Sequence, residues 1–455
     1  MIGVRTRARS RDPHVIHTKS VTVNEISVKP FLVLVNTMAS ARARTCCARA
    51  MHTRMPASQR ALNANEAVVE RVIASYLRPG ILNLAPGVAH WAPTADEMPS
   101  RMWRPEHSRY GACHGAPVLL TALRAKLATE NGHDMSEREV MVTNGANQAY
   151  VSTLLALCDP GDEVVLFRPY YFSHLVAIQL LGLVPRVLAC DDEGLPTVPA
   201  LRAALEAANG RVKAVTLVSP SNPSGAVCGM DRTRALLETC REHGAWLVAD
   251  EAYEHFIHEG ETYHSPAGAP LPLELTDGVV SLFTFSKSYG LAGWRVGYAS
   301  YPTRLHEPLL KVQDTLPTHA TLVSQEVGAH ALTALGQPWV AKQLASLSPA
   351  REALWRVLAP LYEATAGPAG APTATRPRGA FYFLLPLPEG VDEEVAIARL
   401  AQRHGLLLLP GSAFGCPGKL RLSYGGLGDQ ASVDLAAERL ARGVHDLISL
   451  SGGRS

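Results

Sequence analysis

Ser281-Leu-Phe-Thr-Phe-Ser-Lys-Ser-Tyr-Gly-Leu-Ala-Gly-Trp-Arg-Val-Gly-Tyr298 is the stretch on which the reading of this chain turns. The apolar run from Val279 to Phe285 predicts a buried strand, with Thr284, Ser286 and Lys287 at its end. Gly290 and Gly293 permit a tight turn before Arg295. A lysine at the mouth of a strand, with hydroxyls before it and an arginine after it, suits a phosphorylated aldehyde. The amine would form a Schiff base, and the Thr284 hydroxyl with the planar fork of Arg295 would hold the phosphate. The plain alternative is an ordinary buried strand followed by a solvated lysine.

Outward from this stretch, short β-rich runs alternate with helical patterns. Strands are expected at Glu139–Thr143, Val164–Phe167, Pro185–Leu188, Val212–Val218, Ala245–Ala249 and Val279–Phe285. Helices are expected between them, at Asn147–Cys158, Phe172–Leu181, Val198–Ala208 and Asp231–His243. That order implies a mostly parallel sheet covered on both faces, with ligands at the carboxyl ends of its strands. Two long helical stretches, Pro302–Leu335 and Val340–Glu363, lead into strands at Ala380–Leu385, Leu406–Leu409 and Lys419–Ser423 and a closing helix. This second part reads as a smaller α+β domain.

Polar residues gather at the expected strand ends. Thr143-Asn-Gly-Ala-Asn-Gln148 joins a strand to a helix, where free amides and the close approach allowed by Gly145 make an anion site. Many strand-to-helix turns share this form. Tyr171 offers a ring to stack on a flat heterocycle, although paired tyrosines more often serve packing. Asn222 sits between prolines after a buried strand, where its amide needs a partner or forms a simple turn. Asp250 follows the apolar Trp246-Leu-Val-Ala, and a carboxylate there is costly unless paired. A protonated pyridine nitrogen would pair with it; a metal or a helix cap is the alternative. Glu251 reads as a surface residue or one behind the site. Arg421, on an apolar strand, would clamp a substrate carboxylate or form a structural ion pair.

Composition bounds the rest. At 455 residues the chain exceeds one typical core, and its 47% apolar and 18% charged content are those of a globular protein. No apolar run approaches the roughly 20 residues that span a bilayer. The net charge of +2 says little about partners; the basic N-terminus resembles a nucleic-acid arm, but no basic fold follows to use one, so no nucleic-acid partner is expected. The eight cysteines lack metal-ligand spacing, so reduced thiols and no metal site are expected. Residues 1–60 are arginine-rich, with only Asp12 and Glu25 as acids, the composition of a disordered or transit-peptide-like extension. A plastid or mitochondrial address is one reading and a cytoplasmic protein the other. Met38 is a second candidate start.

The Lys287 stretch, together with the motifs around Asn147, Asn222, Asp250 and Arg421, resembles the class I/II aminotransferases of the pyridoxal phosphate (PLP) fold-type I superfamily, from about Leu82 to Gly426. The resemblance implies a large, mostly parallel seven-stranded domain over residues 111–325. A smaller α+β C-terminal domain would cover 326–451, with an N-terminal arm and small-domain segment at 61–110. It further implies that Lys287 forms the Schiff base and moves the α-proton, while Asp250 pairs with the pyridine nitrogen. Asn222 and Tyr253 would bind the ring oxygen and Tyr171 stack on the ring. Gly145, Ala146, Asn147, Thr284 and Arg295 would hold the phosphate, and Tyr110 would reach the phosphate of a second subunit in a homodimer. Arg421 and the Gly87 backbone would take the substrate carboxylate.

The reaction so implied is a ping-pong transfer of an amino group between an amino acid and a 2-oxo acid. Bacterial-type aspartate enzymes of the superfamily carry a lysine where this chain has Asn147, which counts against a dicarboxylic substrate. Gly87-Val-Ala-His-Trp91 adds an indole expected beside the carboxylate site, favouring aromatic amino acids or methionine. Several of these stretches resemble the plant aromatic aminotransferases. A cysteine-conjugate β-lyase or kynurenine aminotransferase-type enzyme, an aspartate aminotransferase, and a non-catalytic PLP-binding regulator are the competing readings.

Overall fold

Val279, Val280, Leu282 and Phe283 have no exposed surface, so both faces of their strand are covered, as helices on either side of a parallel sheet require. The computed structural model describes residues 57–258, 260–365 and 376–451, and almost all of the 1–60 extension lies outside them. The described residues from Ser58 onward form one compact unit. Its first strands are β1 (Leu82–Asn83), β2 (Arg138–Thr143), β3 (Glu163–Arg168), β4 (Val184–Ala189), β5 (Val212–Val218) and β6 (Trp246–Asp250). They are followed by β7 (Val279–Thr284), β8 (Gly297–Pro302), β9 (Tyr382–Pro386), β10 (Leu406–Leu407), β11 (Leu409–Pro410) and β12 (Lys419–Ser423).

The large sheet has seven strands in the order β2-β8-β7-β6-β5-β3-β4. All neighbours are parallel except β8, which runs antiparallel to both β2 and β7. Strand β8 was not anticipated from the sequence: Gly297, Ser300 and Pro302 are poor strand formers, and a helix was expected to begin at Pro302. Its buried Ser300 is satisfied instead by His133 Nδ1 at 3.0 Å and Arg138 Nε at 3.0 Å. Gly297 is required there: a Cβ would come within 2.7 Å of the Phe283 carbonyl oxygen and 2.9 Å of the Ala146 amide.

The expected helix over Pro302–Leu335 is broken. His306–Thr315 stops before Pro317, which cannot continue the hydrogen-bond ladder, and Thr318 takes a left-handed φ of 65°. The chain resumes as Leu322–His330. The second expected helix is likewise two, Gly336–Ala345 and Ser348–Thr365.

The smaller C-terminal domain is built on a three-stranded antiparallel sheet, β11-β12-β9, with Arg421 in its central strand. Strand β1 reaches across to pair in parallel with β10. This pairing holds the Leu82–Gly87 segment between the two sheets, where the polar strand ends converge. Among the described residues, no helix is long and apolar enough to cross a membrane.

Candidate active site

Thr143, Asp250 and Thr284 end strands β2, β6 and β7, so the sheet delivers a hydroxyl, a carboxylate and the approach to Lys287 to one edge. Between that edge and the small sheet lies a cleft of about 240 Å³. Its walls include Gly87, Ala146, Asn147, Tyr171, Asn222, Asp250, Tyr253, Thr284, Lys287, Arg295 and Arg421. Eleven of the residues singled out from the sequence therefore meet in one place.

One end of the cleft is built for an anion. Helix Ala146–Leu157 begins there, with Gly145 as its N-cap at φ 87°, so its first amides point outward unpaired. A Cβ on Gly145 would come within 2.6 Å of Arg295 Nη2, which explains the glycine. Arg295 itself adopts a left-handed backbone, φ 52° and ψ 55°, a conformation unfavourable for a side chain with a Cβ. Its guanidinium bonds the Ala292 carbonyl at 2.9 Å. The Thr284 hydroxyl donates to Ser286 Oγ at 2.9 Å and accepts from the Ser286 amide at 3.1 Å. Amides, hydroxyls and a guanidinium converge, as a phosphate monoester needs.

At the other end the Asp250 carboxylate is buried. It accepts from the Ala252 amide at 3.1 Å and lies 3.2 Å from His174 Nε2. His174 escaped the sequence reading, although it stands three residues after Tyr171, one turn along the same helix face. Their rings meet edge-to-face at 5.2 Å.

Lys287 Nζ donates to the Gly87 carbonyl at 2.5 Å and stands 5.8 Å from the centre of the Tyr253 ring. Its pKa falls from 10.5 to about 8, first because burial penalises the ammonium and then because Arg421 is near; Asp250 opposes the shift. A lysine so poised exchanges protons near neutral pH.

The Arg421 guanidinium lies over two rings, 4.6 Å from the centre of Tyr382 and 5.0 Å from that of Phe414. Nη1 donates to Asn222 Oδ1 at 3.0 Å and Nη2 to the Ala85 carbonyl, while Nε has no hydrogen-bond partner among the described residues. Because Asn222 accepts through its oxygen, its NH2 group is left to donate. Tyr382, also unanticipated, hydrogen-bonds through its hydroxyl to that of Tyr253.

Two expected site residues lie elsewhere. Trp91 does not line the cleft: its indole donates to the Ser288 carbonyl at 3.0 Å and stacks on Phe256 in the core. Its size and apolar face are satisfied by packing. Tyr110 is 88% exposed, against His319. Glu251 is no surface residue but 1% exposed, accepting from the Tyr263 hydroxyl, and burial pushes its carboxyl up to about 7. Among the described residues no group of three or more His, Cys, Asp or Glu side chains is placed to hold a metal.

The described residues fit PLP on the structure's own terms: a glycine-lined anion cradle, a buried carboxylate, an amine of lowered proton affinity and a carboxylate-sized guanidinium site share one cleft. The family description "Aminotransferase class I and II" matches residues 90–440. An aromatic aminotransferase of Arabidopsis thaliana is 35% identical over 391 residues, 84% of this chain and 94% of that protein. An aspartate aminotransferase of Streptomyces avermitilis is 32% identical over 347 residues, 72% and 80% of the two chains. The solved aspartate aminotransferase of Thermus thermophilus with maleate superimposes with a TM-score of 0.75 at 28% identity, covering 86% of this chain and all of that one. The chain is an aminotransferase and belongs to the class I and II aminotransferases, a family that is in general PLP-dependent.

Proposed function

We propose that this aminotransferase uses PLP at Lys287 and transfers amino groups from aromatic amino acids or methionine to a 2-oxo acid. The observation that carries the cofactor assignment is the meeting of Lys287, Asp250, Arg295 and Arg421 in one cleft. Asp250 would hold the pyridine nitrogen in its protonated form, and Tyr253 and Asn222 would donate to the ring oxygen. Tyr171 would cover the ring face. Arg295, Thr284, Ser286 and the Ala146 and Asn147 amides, above Gly145, would hold the phosphate. PLP, when bound, supplies an aldehyde that condenses with amines and a ring that accepts the electron pair left on a substrate Cα. Arg421 would fix the substrate carboxylate, and Lys287, as a free base, would take the Cα proton and hand it across the intervening nitrogen to the cofactor's aldehyde carbon.

The substrate reading rests on Asn147. The turn at the phosphate cradle carries an amide rather than a cation, and Val69, Pro86 and Phe172 contribute apolar surface to the cleft. With Trp91 in the core, these residues replace it in the argument for a flat or thioether side chain. The name of the Arabidopsis relative supports the same class.

We further place the large domain at about 111–325, the small one at 326–451 and the arm at 61–110. The family habit of pairing and the exposure of Tyr110 support a homodimer in which Tyr110 reaches the partner's phosphate. The arginine-rich residues 1–60 support an organellar address.

A single-turnover experiment tests the reading. The PLP-loaded protein is mixed with tryptophan, methionine or aspartate, without an acceptor, and the cofactor absorbance is followed. Conversion to the pyridoxamine form with the first two, lost in Lys287→Ala, is the expected result. Conversion by aspartate alone overturns the substrate class, and failure to bind PLP overturns the cofactor.

A further inference from the structure

Tyr382 opens β9 in the small sheet, two residues from Leu384, the cross-strand partner of Arg421. That diagonal places its ring under the Arg421 guanidinium, 4.6 Å from the ring centre. Its hydroxyl bonds to that of Tyr253, which arrives from the loop after β6 in the large sheet. The same hydroxyl packs against Gly87, where a Cβ would come within 2.0 Å of it, and the Gly87 carbonyl receives Lys287 Nζ. One fully buried phenol thus touches three groups used by the reaction. The charged and titratable groups facing the tyrosine pair are Arg421, Asp250, Tyr171 and Lys287.

We propose that Tyr382 is a positioning residue for the transamination, its hydroxyl fixing the donor direction of Tyr253 and its ring fixing the pose of Arg421. Either phenol of the Tyr382–Tyr253 pair can be the donor. When Tyr382 donates to Tyr253 Oη, the Tyr253 proton is free to point at the cofactor's ring oxygen, and the chained hydrogen bonds strengthen one another. The ring face meanwhile holds Arg421 flat, so that carboxylate binding and ring-oxygen binding are coupled through one side chain. The inference rests on the PLP reading above.

Its test is a spectrophotometric pH titration of the PLP-loaded wild type, Tyr382→Phe, Tyr253→Phe and the double variant, each checked by thermal melting. Tyr382→Phe keeps the ring under Arg421 and removes only the hydroxyl. Weakening one donor to the ring oxygen raises the proton affinity of the cofactor linkage, so the absorbance midpoint should rise by about 0.5–1 pH unit. The turnover number should fall roughly three- to tenfold with KM within about twofold. In the Tyr253→Phe background, removing the Tyr382 hydroxyl should add no shift. An unchanged midpoint in Tyr382→Phe, or equal shifts in both backgrounds, overturns this inference and leaves the PLP reading standing. Absence of a PLP band in the wild type overturns both.

Discussion

His174 Nε2 lies 3.2 Å from Asp250 Oδ2, and both side chains are buried. His174 also packs on Tyr150, with ring centres 4.0 Å apart, and its Nδ1 has no hydrogen-bond partner among the described residues. The imidazole therefore has one polar contact, and it is spent on the carboxylate proposed to hold the pyridine nitrogen. Replacing it with phenylalanine preserves the stacking and removes the donor. His174→Phe should lower kcat by about tenfold and weaken PLP binding, since a buried charge-assisted hydrogen bond is worth about 1.5–3 kcal/mol. Steady-state kinetics with a PLP titration checks this; unchanged values would show that Asp250 is held without it.

Burial of Lys287 bears on stability as well as on its proposed chemistry. Its folded pKa of about 8 lies below the ordinary 10.5, so between those values the unfolded chain binds a proton that the native PLP-free protein does not. Stability of the PLP-free form therefore rises with pH across that window and carries the full penalty below it. Lys287→Met, which fills similar space without charge, should be more stable than wild type at pH 7, by on the order of 1–3 kcal/mol. The gap should close as pH approaches the ordinary lysine value. Urea unfolding of the PLP-free proteins across this range checks the sign.

Glu251 shows the opposite linkage. Burial raises its carboxyl from 4.5 to about 7, although Tyr263 and nearby serines oppose the shift. Native protein holds a proton that the unfolded chain has lost between those values, so this group's stabilising contribution declines as pH rises through the window. Glu251→Gln keeps an acceptor for the Tyr263 hydroxyl and cannot ionise. It should melt several degrees above wild type at pH 8 and level with it near pH 4. A variant less stable than wild type at pH 8 would sink the account.

Much of this architecture could be read from the chain, and the exceptions have physical causes. Lys287, Asp250 and Asn222 announce themselves because each is a polar residue at the end of an apolar strand, where burial demands a partner. Strand β8 was hidden because Gly297, Ser300 and Pro302 are poor strand formers, and the burial of Ser300 makes sense only once His133 and Arg138 are seen to satisfy it. Trp91 was misplaced because an indole beside a site in sequence can turn into the core once a carbonyl accepts its N–H, as Ser288 does. Tyr382 gave no signal, being an aromatic residue in an aromatic strand whose hydroxyl finds Tyr253 only through the tertiary fold.

Asn147 stands at the mouth of the cleft in the first turn of helix Ala146–Leu157, with its side chain exposed. The proposed phosphate contact there uses the backbone amide, which a substitution leaves in place, so the side chain can be changed without dismantling the cradle. Asn147→Lys puts a cation within reach of a second substrate carboxylate. A partly screened ion pair of this kind contributes about 1 kcal/mol, so kcat/KM for aspartate should rise roughly fivefold or more. Tryptophan and methionine gain no partner from the ammonium and meet its hydration shell, so their kcat/KM should hold or fall. The ratio of the two specificity constants is the decisive reading, because loss of phosphate binding would lower both together. A rise for aspartate places Asn147 at the distal end of the substrate; no change in the ratio moves discrimination to Val69 and Phe172.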